Sequence, residues 1–126
     1  MLAIRKYAQT QNETASKERL MVLLFEAALR HMRRAAASLE GGRAAEAGPA
    51  LNKAGDIVAE LLGTLDHSRA PQLARQLSDI YIFVADRLIR AGGSKNPVAV
   101  REAERVFAPI AEAFSTAVNQ LQGPAK

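Results

Sequence analysis

The chain has no cysteine and no tryptophan, and its aromatic side chains amount to four Phe and two Tyr. Without thiols there is no disulfide framework, no zinc–thiolate site and no thiol nucleophile; a reducing cytosol suits such a chain. No apolar run approaches the roughly 18 residues of a membrane span. Residues 1–6 lead into the polar Gln9-Thr10-Gln11-Asn12 and not into the apolar segment of a signal peptide. The expectation is a soluble cytoplasmic protein without membrane insertion. Charge of a single sign is also missing: the formal charge of +4 arises from basic residues, Arg30, Arg33 and Arg34 among them, spread along the chain and interleaved with acids. With so few aromatics there is no stacking platform for a nucleic acid, so none is expected as a partner.

Catalytic groupings are equally sparse. The two histidines, His31 and His67, have no Ser, Cys or second His at useful spacing, and carboxylates such as Glu26, Glu60 and Glu112 stand singly. No Glu-x-x-His pattern points to a di-metal bundle. The chain is expected to be no enzyme, to hold no cofactor or metal and to take no small-molecule substrate.

What is present is helical periodicity in a chain long enough, at 126 residues and 48% hydrophobic, to bury roughly two thirds of its unfolded surface in one domain. Ser16 or Thr14 caps a first helix that Gly41-Gly42 stops after Glu40. A second helix is predicted over residues 44–65 and a third over 71–91, ending at Gly92-Gly93. Asn96 as cap and Pro97 at the first helical position open a fourth, which runs to Leu121 with Pro109 on its polar side. No strand-like alternation persists, so the expected fold is all-α: an antiparallel up-down four-helix bundle over residues 14–122. A short N-terminal arm or extra helical turn over 1–13 and a disordered tail over 123–126 complete it.

Three helix faces exceed what a bundle seam requires, since one apolar stripe a little over 100° wide suffices. On the first helix Val22, Phe25 and Leu29 belong to an apolar sweep of roughly 200° at 100° per residue. On the second, Gly55, Ala59 and Gly63 form a flat strip bordered by Leu51 and Leu62 on one edge and by Asn52 and Asp56 on the other. Each mid-helix glycine costs about 1 kcal/mol relative to alanine, so either a close helix–helix approach or a partner is expected there. On the third, Ile82 and Ile89, with Ala85 between them, form a second seam opposite Leu77, Val84 and Leu88. These faces are candidate protein-binding surfaces, and an arm carrying Ile4 and Tyr7 is placed to cover one of them when no partner is bound.

The order and spacing of several segments carry a resemblance. Tyr7 is followed by Thr14-Ala15-Ser16-Lys17-Glu18-Arg19-Leu20 and Leu23-Leu24-Phe25-Glu26, then by Asn52-Lys53-Ala54-Gly55-Asp56-Ile57 with Glu60-Leu61, then by Leu77-Ser78 with Ile80-Tyr81. Over about residues 4–118 this resembles the FliS family of flagellin export chaperones. The resemblance implies a helical bundle that binds the disordered C-terminal segment of flagellin in the cytoplasm, prevents its premature polymerisation and delivers it to the flagellar export gate. It also implies that the arm with Ile4 and Tyr7 covers the groove and docks at the gate. The chain departs from the family pattern at Glu26, Ala27, Phe83, Gly92 and Phe114, and in Ser68-Arg69-Ala70-Pro71 before the third helix. A divergent paralogue or a stand-alone helical scaffold that binds another secreted protein, or after that a nucleic acid through its arginines, stays open beside this reading, as does the oligomeric state.

Overall fold

The computed structural model describes residues 14–122, which form four helices. They are α1 (Thr14–Glu40), α2 (Ala44–Gly63), α3 (Pro71–Ser94) and α4 (Pro97–Gln122). The arm, with Ile4 and Tyr7, and the C-terminal tail lie outside the described residues. Each helix packs against two neighbours, α1 against α2 and α4, and α3 against the same pair, so the diagonal helices face each other across the core. Side-chain pairs fix the directions. Arg19 near the start of α1 meets Asn119 near the end of α4, and Glu40 at the end of α1 meets Arg101 near the start of α4. The bundle is therefore antiparallel, as the short connections predict.

The helix ends follow local chemistry. Gly42 takes a left-handed φ of 76°, and the amide of Arg43 donates to the Ser38 carbonyl at 2.7 Å, closing α1. Asn96 Oδ1 accepts from the amide of Val98 at 2.9 Å, the expected cap of α4. The end of α3 differs from expectation: the helix continues through Gly92-Gly93, and Lys95 supplies the left-handed residue, at φ 56°. Glycine permits a stop without imposing one. Likewise α2 ends at Gly63, and the Thr64 hydroxyl donates to the Leu61 carbonyl at 2.7 Å.

Phe107 anchors the core. Its ring lies 5.4 Å from that of Phe25 and 6.4 Å from that of Tyr81, while Phe25 is 5.2 Å from Phe114. Such tilted pairs contribute about 0.5–1.5 kcal/mol each beyond the area they bury. Burial pushes the Tyr81 hydroxyl up to about 12. Between α1 and α2 the core is built from alanines, Ala28, Ala35 and Ala36 facing Ala47, Ala50 and Ala54, all buried. Pro109 stays exposed, as its place on the polar side predicts.

Candidate functional site

The seam between α2 and α3 does not close. A groove of about 650 Å³ runs along it, floored by Leu51 and Leu88 and walled by Gly48, Gly55 and Ala59 of α2 and by Ala85, Ile89, Gly92 and Gly93 of α3. Asn52 and Asp56 stand on its rim, their side chains exposed and without a hydrogen bond to another described residue. A Cβ placed on Gly48, Gly55, Gly63 or Gly93 meets no atom within 4 Å; one on Gly92 meets Leu51 Cδ1 at an ordinary 3.7 Å. Close helix packing therefore does not account for Gly55 or Gly63: their missing side chains leave space that nothing in the bundle fills.

Of the residues singled out from sequence, the structure gathers Asn52, Gly55, Asp56, Ala59 and Ile89 around this one groove. Ile82 stands two turns before Ile89 on the same face of α3, and the two are 54% and 75% exposed, which is unusual for β-branched apolar side chains. Gly63 and Leu62 continue the α2 edge beyond the groove, Gly63 exposed and Leu62 half-buried against the core. Val22, Phe25 and Leu29 require correction. All three are buried, Phe25 in the aromatic cluster, because α1 lies between two neighbours and its 200° sweep is consumed by α2 on one side and α4 on the other. The residues that sequence reasoning missed are Gly48, Gly92 and Gly93. Gly48 is seven residues before Gly55, so extending the same spacing one heptad finds it; Gly92 and Gly93 were hidden by the expectation that the helix ends there.

Electrostatics fix the opposite seam. Arg101 donates twice to Glu40, at 2.9 and 3.0 Å, and once to Glu104 at 2.8 Å, while Arg33 of α1 donates to Glu104 at 2.8 Å. Burial alone would raise the Glu104 carboxyl; the hydrogen bonds from Arg33 and Arg101 outweigh it and hold the group below its usual range. On α3, the Arg87 guanidinium lies 4.5 Å over the Phe83 ring and 3.1 Å from Glu102 of α4. Among the described residues no group of His, Asp and Glu side chains is placed to hold a metal ion, and no helix is long and apolar enough to cross a membrane. The geometry thus offers an apolar trough with a polar rim, suited to holding a chain segment.

Comparison with known proteins decides the family. Residues 1–121 match the family described as flagellar protein FliS. The chain belongs to the FliS family. It is 34% identical over 116 residues to the flagellar secretion chaperone FliS of Salmonella typhimurium, a match that covers 88% of this chain and 86% of that protein. It is 29% identical over 113 residues to the flagellar secretion chaperone FliS of Escherichia coli, covering 86% and 83%. With the flagellar secretion chaperone FliSB of Pseudomonas aeruginosa it shares 27% identity over 114 residues, covering 87% and 90%. This FliS-family chain is accordingly a flagellar secretion chaperone built as an all-α bundle.

Proposed function

We propose that the α2/α3 groove receives an apolar helical stretch from the disordered C-terminal segment of flagellin. In this reading the chain holds the segment in the cytoplasm, keeps it from polymerising and delivers it to the flagellar export gate. The observation that carries the reading is the pairing of open space over Gly48, Gly55 and Gly93 with the exposed Ile82 and Ile89. A helix laid in the trough fills the space left by the glycines and covers the isoleucines, and Asn52 and Asp56 meet its polar edge. Ordering a disordered segment costs conformational entropy, so affinity must come from extended apolar contact, and the complex is still weak enough to be dismantled at the gate.

The test is calorimetric titration of a flagellin C-terminal peptide into the full chain and into Ile82→Asp and Ile89→Asp, with a thermal melt of each. Both side chains are exposed, so the variants are expected to fold and to lose about tenfold or more in affinity, equivalent to about 1.4 kcal/mol. Undiminished binding by both folded variants moves the client to another surface.

A further inference from the structure

The solvent-facing ridge of α1, between its α2 and α4 flanks, carries a second surface, separate from the groove. Arg30 and Arg34 stand one turn apart on the exposed face of α1, with the half-buried His31 beside them. Lys53 is exposed on α2, about 160° around that helix from Gly55 and hence on its α1 side. Cations in the bundle fall into two sets. Arg33, Arg43, Arg87, Arg90 and Arg101 each lie within 3.6 Å of a carboxylate. Arg30, Arg34 and Lys53 belong, with Arg75, Lys95 and Arg105, to the set without an ion pair among the described residues.

His31 reports how closely they are grouped. Its pKa is lowered first by burial and then by the charges of Arg30, Lys53 and Arg34, and its Nδ1 is enclosed without a hydrogen bond to any described residue. The face has an apolar end as well. Leu23, 57% exposed, and Ala27 precede Arg30 and Arg34 at spacings of four, three and four, the pattern with which one helix meets another. From Leu23 to Arg34 the seam spans about 17 Å at 1.5 Å per residue.

We propose that this α1 ridge, together with Lys53 of α2, docks an acidic amphipathic helical segment of a second protein, its apolar end on Leu23 and Ala27 and its carboxylates on Arg30, Arg34 and Lys53. Carboxylates there relieve the repulsion among unpaired cations, and charge complementarity sets both register and encounter rate. Because Lys53 and the groove lie on opposite sides of α2, docking on this ridge leaves the groove free. Among the described residues no aromatic side chain flanks the patch for base stacking, which favours a peptide over a nucleic acid.

The experiment is fluorescence anisotropy on the full chain with a labelled helical peptide of about eleven residues, the span of the seam. Its Glu residues are spaced to meet the three cations, and it carries two Leu at one end; the comparison probes are the same peptide with Gln for Glu and a single-stranded RNA. The Glu peptide is expected to bind in a salt-sensitive manner, and the Gln peptide about tenfold more weakly. The triple variant Arg30→Glu, Arg34→Glu, Lys53→Glu should lose the Glu peptide, while Arg69→Glu, Arg75→Glu, Lys95→Glu, with the same net charge, keeps it. Leu23→Ala should weaken it, and the His31 imidazole resonances should shift on binding. Equal losses in the two triple variants, RNA binding as tight as the Glu peptide, or no binding of the Glu peptide to the unmodified chain would each overturn the proposal.

Discussion

The two seams that close the bundle sideways are built on opposite plans. Between α1 and α4, large rings interlock and arginines bridge the rim, so the surfaces of both helices are used up: Phe25 lies against Phe107 and Phe114, and Glu104 is held by Arg33 and Arg101. Between α2 and α3, the facing positions are glycine and alanine, and a trough stays open. The same bundle geometry thus yields a closed seam where side-chain volume is high and an open one where it is low. Stripe width is a poor guide to which seam is open, because a helix between two neighbours needs a wide stripe simply to meet both.

Core truncation gives the largest contrast between the plans. Phe25→Ala removes a ring from the aromatic cluster and leaves a cavity, and should cost about 3–5 kcal/mol. A denaturant melt of Phe25→Ala beside Ile89→Ala measures this directly. The expected result is a large loss for Phe25 and almost none for the exposed Ile89; equal losses would mean that the α2/α3 seam is as closed as the other.

The groove should respond in the reverse manner. Gly55→Leu inserts a side chain into space that no atom occupies, so the fold should tolerate it while an occupant of the trough cannot. Affinity for the flagellin peptide should fall by about tenfold or more, with the melting temperature unchanged or raised. A drop in melting temperature with intact binding would place a packing contact at Gly55 and the client elsewhere.

How much of this was legible beforehand depended on whether one helix sufficed to see it. The four helices and the Asn96 cap were readable because periodicity and capping are local properties. The strip at Gly55, Ala59 and Gly63 was visible too, since glycine spaced along a helix carries a cost that asks for a reason. Whether that strip was packed or empty was not readable, because the answer lies in what the neighbouring helix presents, here Ala85, Gly92 and Gly93. Phe25 shows the same limit from the other side: its assignment to a binding surface failed because Phe107 and Phe114, some eighty residues on in sequence, arrive to cover it. The pairing of Arg101 with Glu40, sixty-one positions apart, left no local trace either.

The ion network on the closed seam supplies a smaller effect with a pH signature. Glu104→Gln leaves Arg33 and Arg101 without their shared carboxylate and should cost about 1 kcal/mol at neutral pH, the side chain being mostly shielded but the arginines partly in solvent. The folded-state pKa of Glu104 lies below its ordinary value of 4.5. Its contribution is therefore present above 4.5 and disappears as pH falls through the folded value. Melts from pH 7 downward should show the difference between the unmodified chain and Glu104→Gln shrinking below 4.5; a constant difference at all pH values would mean that the carboxylate charge contributes nothing.

The smallest effect is a gain. Gly55→Ala adds a Cβ that meets nothing within 4 Å at a position in the middle of α2, so the native state loses no contact while the unfolded chain loses freedom. Stability should rise by up to about 1 kcal/mol, about 3–5 °C in melting temperature for a domain of this size. A methyl group takes up little of a trough of about 650 Å³, so peptide binding should change far less than in Gly55→Leu. The pair of substitutions at one site thus separates helix propensity from occupancy. If Gly55→Ala raises the melting temperature but abolishes peptide binding, the client backbone passes directly over Gly55, and the glycine is there for that approach. If it lowers the melting temperature, α3 closes on Gly55 in solution and the two seams are alike after all.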